Sequence, residues 1–262
     1  MKLNFFKMEG TGNDFIVFFN VNPKKVSKFI SALCDRKRGI GADGVLFSLE
    51  DKEFDFKMIY FNSDGKRAKF CANGARCLIY LNYLKTKKRK FNFIADDGKH
   101  YGEYLGNNLV KLKVLVSPSV KNICISDKEY TLIDTGVPHL ICEEEDIDEI
   151  NVIERGAFLR YHKLFEPEGT NVDFISIIDE NKVKIRTYER GVEDEVLSCG
   201  TGAVAAAFYL RLKNKKDNFE IFTRGGDTLK VTFINDEAFL IGKVNLTFKG
   251  EINLKSLDVR RI

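Results

Sequence analysis

The chain has 262 residues, 44% of them hydrophobic and 31% charged, with a net charge of +4. This is ordinary globular composition, long enough for one large domain or two smaller ones. The basic excess is too small to imply nucleic acid, no apolar run approaches the ~18 residues of a membrane span, and the first residues lack the apolar stretch of a signal peptide. A cytoplasmic protein with no nucleic-acid or membrane partner is expected.

In chain order, "PKKVSKFISALCDRK" (23–37) is amphipathic and opens on a proline, which predicts a helix. "GIGADG" (39–44) fits the glycine pattern of a dinucleotide site, but a helical pattern precedes it and a strand pattern follows. That is the reverse of what such a site needs. Short β-branched and aromatic runs bounded by Gly, Asp and Asn predict strands at "GVLFSL" (44–49) and "FDFKMIYF" (54–61). "ANGARCLIYLNYLK" (72–85) is apolar or small nearly all round, the mark of a helix enclosed on most sides. The basic run "KTKKRK" (85–90) and the acidic run "EEEDIDE" (143–149) read as solvated surface. Further strands are predicted at "KFNFIA" (90–95), "NLVKLKVLV" (108–116), "VDFISII" (172–178) and "KVKIRTY" (182–188). A second enclosed helix, "GTGAVAAAFYLRLK" (200–213), precedes strand patterns at "FEIFT" (219–223), "DTLKVTFI" (227–234) and "FLIGKVNLTF" (239–248).

Six cysteines, at 34, 71, 77, 124, 142 and 199, form no Cys-x-x-Cys pair, so neither a disulfide framework nor a zinc site is expected. Cys34, Cys77, Cys124 and Cys142 read as small buried hydrophobes. Two phrases recur. "EGTGNDFIV" (9–17) shares Glu-Gly-Thr-x-x-Asp-Phe-Ile with "EGTNVDFIS" (168–176), and Cys71 and Cys199 each begin Cys-x-x-Gly-Ala. This predicts an internal duplication. The expected fold is α+β, with two pseudo-symmetric domains, each a curved β-sheet or barrel wrapped around a central helix. The expected domains are 1–117, rejoined by a C-terminal strand at about 250–262, and 118–249, with the boundary in "VLVSPSVKN" around Pro118.

Both Cys71 and Cys199 fall at the N-terminus of an enclosed helix. Free N–H groups and the positive end of the helix dipole lower a thiol's pKa there and suit a carboxylate. Gly74, Gly200 and Gly202 would let the backbone approach a ligand closely. One such cysteine in each half suits inversion of a stereocentre, in which one thiolate removes a proton and a thiol returns one from the opposite face. Oxidation would then join the two sulfurs. A thiol peroxidase or redox sensor needs only one low-pKa cysteine, and a binding protein needs neither.

The motifs "KMEGTGNDF", "GIGADGV", "FNSDGKRAKFCANGARC", "TGVPHL", "GTNVDF" and "ERGVEDEVLSCGTGA" resemble, in order, those of the diaminopimelate epimerase family. The resemblance implies a cofactor-independent isomerase that interconverts L,L- and meso-diaminopimelate in lysine and peptidoglycan synthesis. It makes Cys71 and Cys199 the acid–base pair, with His139 and Glu189 tuning their pKa values. It makes Asn13, Asn62, Asn171, Glu189 and Arg190 substrate contacts, together with the helix-start pairs Ala72–Asn73 and Gly200–Thr201. No metal and no pyridoxal phosphate are implied. The partner is a small-molecule amino acid, and a homodimer is left open. The sequence departs from the family's commoner forms at Ala72 (Gly), Gly44 (Gln in some members) and Val137 (Asn), and in the longer "ERGVEDEVLSC". Val137 removes a polar contact from the distal end of the substrate, so histidine or lanthionine remain alternative substrates on the same fold.

Overall fold

The computed structural model describes residues 1–114 and 119–257. Pro118, on which the expected domain boundary was centred, and the last five residues of the expected final strand lie outside the described residues. In chain order the elements are β1 (Lys2–Gly10), β2 (Asn13–Phe19), α1 (Ile30–Cys34), β3 (Gly44–Leu49), β4 (Phe56–Asn62), β5 (Arg67–Ala68), α2 (Ala72–Thr86), β6 (Lys90–Ala95), β7 (Gly98–Gly106), β8 (Leu109–Val114), β9 (Val120–Ile125), β10 (Lys128–Asp134) and β11 (Pro138–Glu143). There follow α3 (Val152–Arg160), β12 (Asn171–Asp179), β13 (Lys182–Glu189), β14 (Asp194–Val196), α4 (Gly200–Asn214), β15 (Asn218–Thr223), β16 (Thr228–Ile234), β17 (Glu237–Lys243) and β18 (Asn245–Asn253). The chain divides into two compact units, one of Met1–Leu112 together with the C-terminal stretch from Lys243, the other of Lys113–Gly242.

Within the first unit the strands lie in the order β18, β1, β2, β3, β4, β6, β7, β8. Among the described residues, β2–β3 and β4–β6 pair in parallel and the other neighbours of this order antiparallel. Within the second the order is β9, β10, β11, β12, β13, β15, β16, β17, again with two parallel pairings, β11–β12 and β13–β15. A short strand hairpins onto the middle of each sheet, β5 on β4 and β14 on β13, and leads into the enclosed helix. The two units therefore share one topology. The first takes its opening strand from the end of the chain.

Each sheet wraps its helix. Helix α2 packs on β1, β2, β3, β4 and β7, and α4 on β10, β11, β12, β13, β15 and β16. Burial agrees: every residue from Ala72 to Ile79 is buried, as are Ala203–Ala207. Both helices end alike, on Lys87 and Lys215 in the left-handed conformation, each returning its N–H to a carbonyl four residues back. Stacked aromatics, Phe18 on Phe47 and Phe56 on Phe93, fill the first unit behind the helix.

Four expectations are corrected. Cys124, on β9 at the end of the second unit's strand order, is exposed rather than buried. The stretch 23–37 is not one helix: two 3-10 turns, Pro23–Lys25 and Ser27–Phe29, lead into the five-residue α1. Val26, Ile30 and Leu33 still enter the core at the expected helical spacing, but the Asn22 side chain caps a 3-10 turn at Lys24 and the chain does not settle into α geometry until Ile30. "FLIGKVNLTF" is not one strand but parts of β17 and β18, which belong to different units and are parted by the buried Val244. The recurring "EGT" phrases are not equivalent. Asn13 opens β2, whose topological counterpart is β11, whereas Asn171 opens β12, the counterpart of β3. The true counterpart of the Thr11–Gly12 turn is Thr135–Gly136. In both turns the threonine is buried and the glycine has positive φ.

Candidate active site

Cys71 is the N-cap of α2. Its extended backbone turns the thiol back over the helix start, where Sγ accepts the Gly74 N–H at 3.4 Å. The thiol also points at Asn13 Oδ1, 3.7 Å away. That amide is held the right way round: its Nδ2 donates to Asp43 Oδ2 at 2.8 Å, which leaves the oxygen for the cysteine. Asp43 is itself fixed by Arg36, which also pairs with Asp14, and Asp14 pairs with the buried Lys7. The turn that presents Asn13 places Thr11 at φ 54°, a costly conformation for a β-branched residue. The fully buried Arg76, one turn into α2, donates to Thr11 Oγ1 at 2.9 Å and ties that turn to the helix. Ala72 and Asn73 are the first two helical residues, both buried. Asn62 closes β4 opposite Gly44, and its main chain holds the turn that leads to β5.

In the second unit Cys199 is the N-cap of α4. Its Sγ lies 3.4 Å from Thr201 Oγ1, and Thr201 Oγ1 lies 3.0 Å from His139 Nε2. The other imidazole nitrogen, Nδ1, lies 2.6 Å from Asp173 Oδ2. His139 and Asp173 are both fully buried. Asp173 also accepts from the Thr187 hydroxyl at 2.6 Å. Asn171 accepts the Arg190 N–H on its Oδ1 and turns its Nδ2 toward the Pro138 carbonyl and His139 Nε2. The Arg190 guanidinium rests on the carbonyls of Glu168 and Gly169.

Burial pushes the Cys199 thiol well above the ordinary range. The carboxylates of Glu189 and Asp173 add to that, and the hydrogen bond shared with Thr201 and the one from the Gly202 N–H act against it without prevailing. A helix start therefore does not by itself make this thiol acidic, contrary to the expectation from position alone. The glycines also differ from expectation. A Cβ on Gly202 would meet Asp173 Oδ1 at 2.6 Å and one on Gly74 would meet Leu46 at 2.9 Å, so at these two positions the missing side chain admits the protein's own groups. Among the described residues, no three His, Cys, Asp or Glu side chains gather as a metal site would require, and no helix is long and apolar enough to cross a membrane.

The family model for diaminopimelate epimerase matches residues 5–108 and 131–247. The chain belongs to the diaminopimelate epimerase family. Two curated members are the diaminopimelate epimerases of Flavobacterium psychrophilum, 39% identical over 96% of this chain and all of theirs, and of Aquifex aeolicus, 37% identical over 98% of this chain and all of theirs. Among solved structures, a PhzF-family phenazine biosynthesis protein from Bacillus anthracis aligns with TM-score 0.75 at 15% identity, covering 97% of this chain and 99% of its own. A probable proline racemase from Agrobacterium radiobacter aligns with TM-score 0.73 at 14% identity, covering 98% and 94%. These likenesses extend the two-domain α+β fold beyond the epimerase family.

Sequence reasoning missed Asp173, Asp43, Arg76 and Thr11. One signal was available for Asp173: a carboxylate inside the otherwise apolar "NVDFISII" has to find a buried partner. The epimerase-family departure at Val137 falls in the β10–β11 turn, where its carbonyl accepts the Thr135 N–H.

Proposed function

We propose that this protein is a diaminopimelate epimerase that inverts the α-carbon of an amino-acid head with Cys71 and Cys199 as its two acid–base groups. The observation that carries this reading is the pair of N-cap cysteines, one on the enclosed helix of each unit, in a chain of this family. In the forward direction one sulfur, as thiolate, takes the α-proton while the other, as thiol, gives one to the opposite face. The reverse direction exchanges the roles. As the proton leaves, negative charge develops toward the substrate carboxylate. The N–H groups at Ala72–Asn73 and Gly200–Thr201 are suited to meet it, because helix starts are electropositive and cost nothing to reorient. Neither metal nor pyridoxal phosphate takes part in this sequence of steps.

Asn13, Asn62, Asn171, Glu189 and Arg190 are assigned to the substrate, Arg190 through a bidentate pair with its distal carboxylate. His139 and Glu189 adjust the thiols. The test is α-hydrogen exchange in D₂O followed by NMR. L,L-diaminopimelate should exchange and epimerise, and Cys71→Ser and Cys199→Ser should each lose about 10²–10⁴-fold in kcat. Either serine variant turning over at the parent rate would end the two-thiol reading. L-histidine exchanging faster than diaminopimelate would move the substrate assignment and leave the thiol chemistry intact.

A further inference from the structure

Cys199 sits at the end of an unbroken chain of hydrogen-bonding groups that runs inward to a buried carboxylate. From Asp173 Oδ2 the steps are 2.6 Å to His139 Nδ1, then 3.0 Å from Nε2 to Thr201 Oγ1, then 3.4 Å to Cys199 Sγ. We propose that Asp173 and Thr201 make this chain a directional proton relay, in which the Thr201 hydroxyl carries the Cys199 proton to His139 and Asp173 is the positioning residue that fixes the imidazole for it. This rests on the two-thiol reading of the site and adds two residues to it.

The direction follows from the partners. A carboxylate can only accept, so His139 Nδ1 carries the hydrogen toward Asp173 and Nε2 is left with a lone pair. The Asn171 amide agrees. Its oxygen is taken by the Arg190 N–H, so the group it turns toward Nε2 at 3.5 Å is the NH₂. Nε2 therefore faces donors. Thr201 gives its single hydroxyl hydrogen to Nε2 and offers a lone pair to Cys199, whose S–H points at it. In the transfer the S–H bond breaks as a new O–H bond forms on Thr201, and the former Thr201 O–H bond breaks as N–H forms on His139. The products are a Cys199 thiolate and an imidazolium held against Asp173. The same bonds run backward when the thiol is restored.

Cys199 has need of such an acceptor, because Glu189 on β13 and Asp173 on β12 both oppose its charge and burial adds to them. Asp173 is locked for the task. It is fully buried, it receives the Thr187 hydroxyl on its other oxygen, and it fills the space that a side chain at Gly202 would occupy, against the first turn of α4.

The experiment is iodoacetamide alkylation of the full-length protein between about pH 6 and 10, with mass spectrometry of the Cys199 and Cys71 peptides. In Thr201→Val, Cys199 alkylation near neutral pH should fall about tenfold, one pKa unit. Thr201→Ser should keep the parent profile. Asp173→Asn removes a charge that opposes the thiolate, so a rise in Cys199 alkylation overturns the positioning role of Asp173 and the absence of a rise supports it; Cys71 should be unchanged in all three variants. If Asp173→Asn does not fold, the near-isosteric Thr201→Val decides alone. A parent-like Cys199 profile in Thr201→Val overturns the relay. Alkylation needs no substrate, so this outcome is separate from the exchange assay: a wild-type protein inert toward diaminopimelate overturns the proposed function and leaves the relay standing.

Discussion

Asp14 organises the charges beside the first cysteine. Burial would raise its pKa, but hydrogen bonds from Arg36 and Lys7 overcome that and hold it at about 2, below its ordinary 3.8. A carboxylate depressed in this way stabilises the fold above its unfolded value and stops doing so as pH falls through the folded one. Asp14→Asn should therefore be clearly less stable than the parent at about pH 6, with the gap closing between about pH 4 and 2. Urea unfolding at a series of pH values checks this, and a gap that stays constant down to acid would contradict it. At this scale the sequence shows residues whose neighbours in the chain announce them. Cys71, Cys199 and His139 sit in dense local patterns. Asp173 and Arg76 act through groups distant in the chain, at His139 and Thr11, and nothing beside them foretells those contacts. The apolar neighbours Val172 and Phe174 announce only that the Asp173 carboxylate needs some buried partner; which partner it finds depends on the fold, in which all three residues are buried and α4 packs over β12.

The two enclosed helices were the most legible elements, since small and apolar residues on every side leave no wet face to place. That enclosure has a cost in tolerance. Ala205 is fully buried in α4, and Ala205→Leu should destabilise by about 1–3 kcal/mol through overpacking. Leu212, half exposed near the end of the same helix, should change stability by no more than about 0.5 kcal/mol on going to Ala. Denaturant midpoints of the two variants measure the contrast, and equal losses would mean that α4 is not enclosed as described. Where an element is short, pattern fails. The five residues of α1 cannot hold a helix by propensity, and the apolar spacing of Val26, Ile30 and Leu33 is met by successive turns as well as by one helix. Nothing in "FLIGKVNLTF" marks Val244 as the break. It is fixed there by its N–H bond to the Asn108 carbonyl, a contact the local pattern does not contain.

For the whole molecule, the duplication was readable from the cysteine phrases, while its register was not. Cys71 and Cys199 differ by nearly the same interval as Thr11 and Thr135, the counterparts that the topology identifies. The two "EGT" phrases stand much further apart and fall on strands that do not correspond. The borrowed strand gives a direct test. Without residues 244–262, β1 loses the partner it holds from Lys2 to Glu9, Phe5 loses its ring contact with Phe248, and the core loses the buried Leu254. In that truncated chain, hydrogen exchange should show β1 and β2 losing protection while β12 and β13 keep theirs. Equal protection in all four strands would mean that β18 is dispensable.

The same strand also sets the order in which the molecule can be completed as it is made. Residues 113–242 leave the ribosome as one uninterrupted block and include every strand of the second unit's sheet. The first unit, although its first 112 residues emerge earlier, must wait with the edge of β1 unpaired until residues 245–253 are free. The half that is translated first is the last to receive its full set of strands, and the helix that carries Cys71 packs on a β1 whose outer edge stays open until then.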